Sequence, residues 1–209
     1  PSFSYLSLTG SILSGKHIRW GGQNLNPHAQ GAHTGETSGA MLKDLGCHYV
    51  LVGHSERRSI YGESDTDVAL RFKAALDAGL HPVLCVGESL QQREEGQTEA
   101  VVSRQLDAVI DSVGIQACRR AVIAYEPVWA IGTGLTATPQ QAQSVHAFIR
   151  DKLASLDGII AGQLRILYGG SVTGSNAAEL FAQSDIDGGL VGGASLTAED
   201  FLAIYSAVV

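Results

Sequence analysis

Short apolar runs alternate along the chain with longer stretches whose apolar residues recur at helical spacing. Most of the short runs are almost continuously apolar, which is typical of parallel strands buried on both faces. The most polar of them, His17–Asn24, is the weakest strand candidate. The six predicted strands are His17–Asn24, His48–His54, His81–Glu88, Ala121–Val128, Arg165–Val172 and Gly188–Ser195.

Helices are predicted between these strands, and two of them carry clear end signals. Ser64 provides a cap and Gly79 a stop for one helix, and Thr138 before Pro139 marks the start of another. The successive βα units predict an α/β fold with a parallel sheet, in a single domain over residues 1–209. The predicted helices are Thr37–Leu45, Ser64–Ala78, Glu94–Ser112, Pro139–Leu156, Ser175–Gln183 and Thr197–Ala207.

Two topologies fit these units: an open doubly wound sheet, or a β/α barrel that lacks some strands. The run Gly132-Thr133-Gly134, continued to Ala137, matches a permitted variant of the dinucleotide-binding pattern. In that pattern, however, the glycines lie in the turn between strand and helix. Here Gly132 lies several residues past the strand, and the next helix begins only at Pro139. The context therefore argues against a Rossmann domain.

Charge and composition exclude several classes of partner. The net charge of -7 and the lack of a basic run argue against nucleic acid and against a membrane surface. No run of 18 apolar residues could cross a bilayer, and Pro1–Leu8 does not have the pattern of a signal peptide. Cys47, Cys85 and Cys118 are widely spaced and odd in number, so we expect no zinc or disulfide framework and a cytoplasmic location.

Polar residues or glycine pairs recur where each predicted strand ends. In a β/α barrel these strand ends converge on one face, where active sites lie. One such residue is weak evidence, but the same feature at the ends of all six predicted strands indicates a site. They are Asn24, His54, Glu88, Glu126, Ser171 and the pair Gly192-Gly193.

The segment Ala124–Gly134 carries the sharpest motif. Glu126 ends an apolar strand, an apolar segment stiffened by Pro127 follows, and Gly132 and Gly134 come last. This combination is typical of a general base beneath a hinged lid that excludes water. A buried structural glutamate beside an ordinary loop would be the simpler interpretation. The predicted lid consists of Pro127, Val128, Trp129, Ala130, Ile131, Gly132, Thr133 and Gly134.

Ala124–Gly134 resembles the signature loop of the triosephosphate isomerases, and four other segments extend the resemblance. Gly53–Arg58 resembles the family's histidine strand end, and Gly31–Gly39 resembles its dimer-forming loop. Tyr168–Val172 and Leu190–Ser195 resemble its two phosphate-binding turns. The similarity is recognisable from about Gly15 to the C-terminus. It implies a TIM (β/α)8-barrel fold, here an incomplete barrel with about six strands, and a role in glycolysis and gluconeogenesis.

The resemblance also implies roles for individual residues, in a family that is itself a standard example of acid–base tuning. Glu126 would be the catalytic base and His54 the neutral electrophile that hydrogen-bonds the substrate oxygens. Ser55 would cap a short helix after His54, with Glu56 and Cys85 as supporting residues, although a buried packing role is the favoured interpretation of Cys85. The substrate would be a small phosphorylated triose held by backbone N–H groups, and no cofactor or metal is implied. The residues of that phosphate site would be Gly132, Ser171, Gly192 and Gly193.

Leu25–Gly39 is about fifteen residues long and carries no clear helix or strand signal. Loops of that length are usually functional or disordered. By resemblance it is the loop that inserts into a second subunit, with Thr34 near its tip reaching the other active site. We therefore expect a homo-oligomer.

The resemblance also points to a lysine, in an Asn-x-Lys strand end, that these 209 residues do not provide. The lysines are Lys16, Lys43, Lys73 and Lys152, and none ends a predicted strand. The chain is thus expected to start after the family's second strand, roughly forty residues late by analogy, and to isomerise poorly. Arg57 and Arg58 resemble structural ion-pair residues, and Glu56 would be left without its lysine partner.

Two open strand edges would favour self-association, with Pro1–Ser14 rearranged to cover the gap. A self-assembling, non-catalytic barrel fragment is therefore the alternative function. Another phosphate-binding barrel isomerase is a third, less favoured hypothesis, because Glu126 in a lid motif is paired with His54.

Overall fold

The computed structural model describes residues 1–207 and divides the chain into two compact units. Among the described residues, the first unit consists of 1–85 and 107–122, and the second of 86–106 and 123–207. The prediction of one domain over the whole chain stays a prediction. Within residues 1–207, no helix is both long and apolar enough to cross a membrane.

The first unit begins with a 3₁₀ turn and a short helix over residues that carried no clear sequence signal. Leu6 of that helix is fully buried, whereas Leu8 and Ile12 are exposed. Two parallel strand pairings follow, with Gly21 opposite Tyr49 and Tyr49 opposite His81. The elements, in chain order, are α1 (Leu6–Leu13), β1 (Gly21–Gly22), α2 (Gly39–Asp44), β2 (Tyr49–Val52), α3 (Ser55–Ser59), α4 (Asp65–Asp77) and β3 (His81–Val86).

The later elements begin with two helices where a single one, Glu94–Ser112, was predicted. The break falls at Gly96, which has a φ of +70° and lies just after the end of the first helix. The elements are α5 (Leu90–Glu94), α6 (Thr98–Val113), β4 (Val122–Tyr125), α7 (Pro139–Ala154), α8 (Gly158–Gln163), β5 (Arg165–Tyr168), α9 (Ala177–Phe181) and α10 (Ala198–Ser206).

Local sequence signals set several of these boundaries. Ser64 and Thr138 each close a capping box, in which the cap side chain and the third helical side chain satisfy each other's backbone N–H groups. Asp157 accepts hydrogen bonds from the amides of Ile159 and Ile160 at the start of α8. The helix predictions at Ser64 and Pro139 are therefore confirmed to within two residues.

The sixth predicted strand, Gly188–Ser195, is wrong. Gly189 forms a single parallel bridge with Tyr168, and residues Gly193–Leu196 form a 3₁₀ turn. The segment is rich in glycine, which offers no side chain to pack, and Gly188 has a φ of +145° that is foreign to a strand. The part of the chain that the structure describes thus contains five strands rather than six.

Candidate active site

Glu126 lies directly after β4 and is 2% exposed. Its N–H group donates to the Val86 carbonyl at 2.7 Å, which continues the strand pairing past Tyr125. Two glycines make room for it. A Cβ atom on Gly87 would lie 1.7 Å from the Glu126 carbonyl oxygen, and one on Gly169 would lie 2.9 Å from Glu126 Cγ. The neighbouring backbone therefore packs closely against both the main chain and the side chain of Glu126.

A second carboxylate, Glu88, is fully buried in the same unit and gathers three donors. The Tyr125 hydroxyl donates to it at 3.1 Å, the Trp129 indole N–H at 2.9 Å, and Arg93 lies 3.5 Å from Oε1. Sequence reasoning placed Glu88 only in the register of strand ends and missed these partners. Because Trp129 belongs to the predicted lid, Glu88 is an anchor for that segment.

The predicted lid divides into a packed half and an exposed half. Pro127–Ala130 lies against its surroundings, and the Val128 amide donates to the Glu88 carbonyl at 3.1 Å. Gly132–Gly134 is exposed, with both glycines at positive φ. The Thr133 hydroxyl donates to the Trp129 carbonyl at 2.6 Å, so the exposed half is folded back by one short hydrogen bond.

The turn after β5 faces the first half of the lid. A Cβ atom on Gly170 would lie 2.2 Å from the Tyr168 hydroxyl and 3.0 Å from Pro127 Cγ, so only glycine fits. The Ser171 amide, predicted to bind phosphate, instead donates to the Ala130 carbonyl at 3.1 Å. That amide becomes available to a ligand only when Ala130 moves away. The close approach of Gly170 to Pro127 lets the first half of the lid pack against this turn.

Gly192 and Gly193 lie after the Gly189 bridge and are exposed. Gly192 precedes the 3₁₀ turn, and its carbonyl accepts from the amide and the hydroxyl of Ser195 at 2.9 and 2.6 Å. The three glycines Gly132, Gly192 and Gly193 thus expose their backbone within the second unit, which also contains Glu126.

His54 follows β2 in the first unit and is the N-cap residue of α3. Ser55 is the first residue inside that helix, so the prediction that Ser55 is the cap is wrong. His54 caps the helix instead, because its Nδ1 accepts a hydrogen bond from the Glu56 amide at 3.4 Å. An N–H donor aimed at Nδ1 requires a lone pair there, which places the ring proton on Nε2. The Glu56 side chain is two-thirds exposed, with one oxygen 3.7 Å from the same Nδ1, so it is no buried charge.

The arginines after His54 form ion pairs, as the sequence predicted. Arg57 contacts Glu63 at 2.6 Å, and Arg58 contacts Asp65 at 2.6 Å. Arg58 also donates to the Cys85 carbonyl at 3.3 Å, which fixes the end of β3. Cys85 itself is fully buried.

The predicted interface loop is anchored at its base and exposed at its tip. The Asn26 amide donates to the Thr37 carbonyl at 2.8 Å, and Asn26 Oδ1 accepts the His28 amide at 2.8 Å. His28 and His33 stack with ring centroids 4.4 Å apart, and Thr34 is exposed. The loop is thus a folded projection rather than a structureless connection. Asn24, the first residue of the strand-end register, is buried, and its side-chain oxygen finds no hydrogen-bond partner.

None of the four lysines follows a strand. Lys16 is exposed after α1, and Lys43 in α2 donates to the Gly79 carbonyl at 3.0 Å. Lys73 pairs with Asp77 on the exposed face of α4, and Lys152 lies in α7. The prediction that these lysines sit outside the strand ends is confirmed.

Three buried rings lie behind the lid, and burial changes how each of them ionises. Burial raises the pKa of Tyr125 far above its usual value, and the neighbouring Glu88 carboxylate raises it further. Burial raises the pKa of Tyr168 to about 12 and lowers the pKa of His146 to about 4. The His146 ring contacts Tyr125 edge-on, with centroids 5.7 Å apart. All three rings are therefore uncharged near neutral pH.

Parallel βα units with polar residues after their strands are typical of α/β proteins, and a TIM barrel is one of the folds that they build. The chain belongs to the triosephosphate isomerase family, because a sequence model of that family matches residues 1–208. The match includes Pro1–Ser14, so the expectation that the resemblance starts near Gly15 is wrong. In residues 1–207, no three metal-ligating side chains cluster as a metal site would require.

Curated triosephosphate isomerases from several bacteria are similar to the chain over almost all of its length. The protein of Thiobacillus denitrificans is 62% identical over 205 residues, which cover 98% of this chain and 83% of that protein. That of Hydrogenovibrio crunogenus is 61% identical over 208 residues, covering 99% and 82%. That of Nitrosomonas eutropha is 59% identical over 202 residues, covering 97% and 80%.

Proposed function

We propose that this chain interconverts dihydroxyacetone phosphate and D-glyceraldehyde 3-phosphate through an enediolate, in glycolysis and gluconeogenesis in the cytoplasm. The observation that carries the proposal is Glu126, a carboxylate 2% exposed at a strand end and followed by an anchored lid. In this proposal Glu126 removes the proton from the carbon next to the substrate carbonyl. Water excluded by the lid can then neither solvate the carboxylate nor quench the enediolate.

His54 is the proposed electrophile. Its Nδ1 accepts the Glu56 amide, so the neutral ring presents an N–H group at Nε2. Such a donor can hydrogen-bond the substrate oxygens and stabilise the negative charge that develops on them. The turn of α3 supports this role, because it fixes the ring and the tautomer together.

The amides of Gly132, Ser171, Gly192 and Gly193 are the proposed phosphate ligands. The Ser171 amide donates to Ala130 in the structure described above, so phosphate and lid compete for the same N–H group. Substrate binding would release Ala130 and let the exposed half of the lid, with Gly132, fold over the phosphate. Binding energy from the phosphate would thereby drive lid closure.

Isomerisation of glyceraldehyde 3-phosphate by the purified chain tests the proposal. Glu126→Gln keeps the shape of the side chain but removes the base, and should lower kcat by ~10²–10⁴-fold. His54→Gln should lower kcat by ~10²–10³-fold. Glu179→Gln, on α9 away from these residues in sequence, is the charge-matched control and should leave kcat unchanged. Equal kcat for Glu126→Gln and the control would refute the assignment of the base.

We also propose that a polypeptide of only these 209 residues turns over slowly. Its four lysines lie outside the strand ends, and losing one positioned charge stabiliser costs ~10²–10³-fold in rate. A rate near the usual 1–10³ s⁻¹ range for enzymes would contradict this part of the proposal.

A homo-oligomer is the proposed state in solution, with Leu25–Gly39 as its interface loop. The loop projects a stacked pair, His28 and His33, and the exposed Thr34 from an anchored base at Asn26. Light scattering should give at least twice the 21.9 kDa chain mass, and deleting residues 30–35 should lower it. A monodisperse monomer would contradict the proposal.

A further inference from the structure

Arg93, in α5, contacts both Trp129 of the lid and Glu88, the buried anchor of the lid. Its guanidinium carbon lies 4.4 Å from the centre of the Trp129 ring, and one of its nitrogens lies 3.5 Å from Glu88 Oε1. The Trp129 indole donates to that same oxygen at 2.9 Å. Three groups therefore close a triangle: a buried carboxylate, a stacked guanidinium and the indole of the lid.

The triangle joins two interactions that depend on one another. Glu88 is fully buried, and a buried carboxylate is stable only where cations and N–H donors surround it. A guanidinium can serve this carboxylate and stack on an indole at once, because it is planar and keeps its charge. Lysine has the charge without the planar stack, and glutamine has a planar group without the charge.

Helix α5 sets the backbone position of Arg93. The residue lies near the end of α5, a short helix that Ser89 and Gln92 start with a capping box. Its side chain is 26% exposed and borders a cavity of about 410 Å³, which Glu99 and Gln141 also line. The guanidinium thus has free space beside it, so its contact with Trp129 can break without unfolding the helix.

We infer that Arg93 is a positioning residue for the lid, which sets how long Trp129 holds that segment in place. The expected effect on the reaction rests on the proposed function, whereas the contact between Arg93 and Trp129 does not depend on it. A lid whose packed half is no longer held would close less precisely over the enediolate, which would then be exposed to water and to decomposition. In that side reaction the enediolate oxygen re-forms a carbonyl at C1 while the C1–C2 electron pair shifts to C2–C3. The C3–O bond breaks, and phosphate leaves with its electron pair, giving the enol of methylglyoxal.

Two measurements on the 209-residue chain test the inference. The chain has two tryptophans, so Trp20→Phe leaves Trp129 as the only one, and acrylamide quenching then reports access to its ring. Arg93→Gln should raise the quenching constant, and Arg93→Lys should raise it less. The second measurement is the ratio of phosphate released to isomer formed, which should rise roughly fivefold or more in Arg93→Gln, as expected for losing one cation–π contact.

Glu99→Gln, a charge-removing change on the same cavity, is the control and should leave both readouts unchanged. Quenching identical in Arg93→Gln and the parent would overturn the inference, and so would raised quenching with an unaltered phosphate ratio in an active chain. If no form of the chain isomerises, the proposed function fails, while quenching alone still decides whether Arg93 holds Trp129. A fold check by circular dichroism excludes general unfolding as the cause.

Discussion

Gly169→Ala should displace Glu126, the proposed catalytic base, without touching the substrate. An ideal Cβ at Gly169 would lie 2.9 Å from Glu126 Cγ and 3.2 Å from the Tyr125 carbonyl oxygen. The Gly169 amide donates to that carbonyl at 2.7 Å, so the backbone on both sides is fixed by strand pairing. The Glu126 side chain must therefore give way.

The size of the effect follows from these distances. Carbon atoms in contact lie ~3.5–4.0 Å apart, so Glu126 Cγ must move by roughly 1 Å. A misplacement of ~1 Å can cost ~10²-fold in rate, and overpacking a core typically costs ~1–3 kcal/mol of stability. We expect kcat for isomerisation to fall by about 10²-fold with little change in KM, because the added methyl group meets Glu126 and Tyr125 rather than a proposed phosphate ligand.

Steady-state kinetics and urea denaturation on the same preparation separate these two losses. Gly162→Ala, in α8, is the matched control, since no heavy atom lies within 4 Å of its added Cβ. It should keep kcat and gain ~0.5–1 kcal/mol in free energy of unfolding. A folded Gly169→Ala variant with the parent's kcat would refute the claim that Gly169 leaves space for a catalytic Glu126.

Three further predictions concern stability. His146 has a pKa lowered to about 4 from 6.5 because it is buried, so the unfolded chain binds a proton in this window that the folded chain does not. Stability should thus be complete above pH ~6.5 and fall by up to about 3 kcal/mol toward pH ~4, and His146→Gln should flatten this slope in urea titrations. Glu88→Ala should cost about 3–5 kcal/mol because it leaves buried donors without an acceptor, whereas Tyr125→Phe should cost only about 1 kcal/mol; equal losses in urea denaturation would contradict this. Ser64→Ala should cost about 1 kcal/mol by removing the cap of α4, and an unchanged melting curve would show that the capping box contributes nothing.

The parts of the fold that the sequence predicted are those set by local chemistry. Ser64 and Pro139 mark helix starts through interactions within one helical turn, and the structure has both. The failures have local and non-local causes. Gly96 divides a predicted helix through its positive φ, and Gly188–Ser195 pairs at one residue only.

The candidate site was likewise predictable from the sequence only where its signals are local. A carboxylate before a stiffened loop was visible in the sequence as Glu126 and Pro127. The role of Glu88 was not, because its partners Tyr125 and Trp129 lie 37 and 41 positions further along the chain. No local pattern marks such a contact. Its one signal was the position of Glu88 in the register of strand ends.

Exchange of the substrate's carbon-bound proton tests most directly whether Glu126 is the base. Dihydroxyacetone phosphate is incubated with the chain in D₂O, and nuclear magnetic resonance follows deuterium at the carbon next to the carbonyl. We expect enzyme-dependent incorporation that Glu126→Gln lowers by ~10²-fold or more while Glu179→Gln leaves it intact. Incorporation at the same rate in the parent and in Glu126→Gln would contradict the assignment of Glu126 as the base.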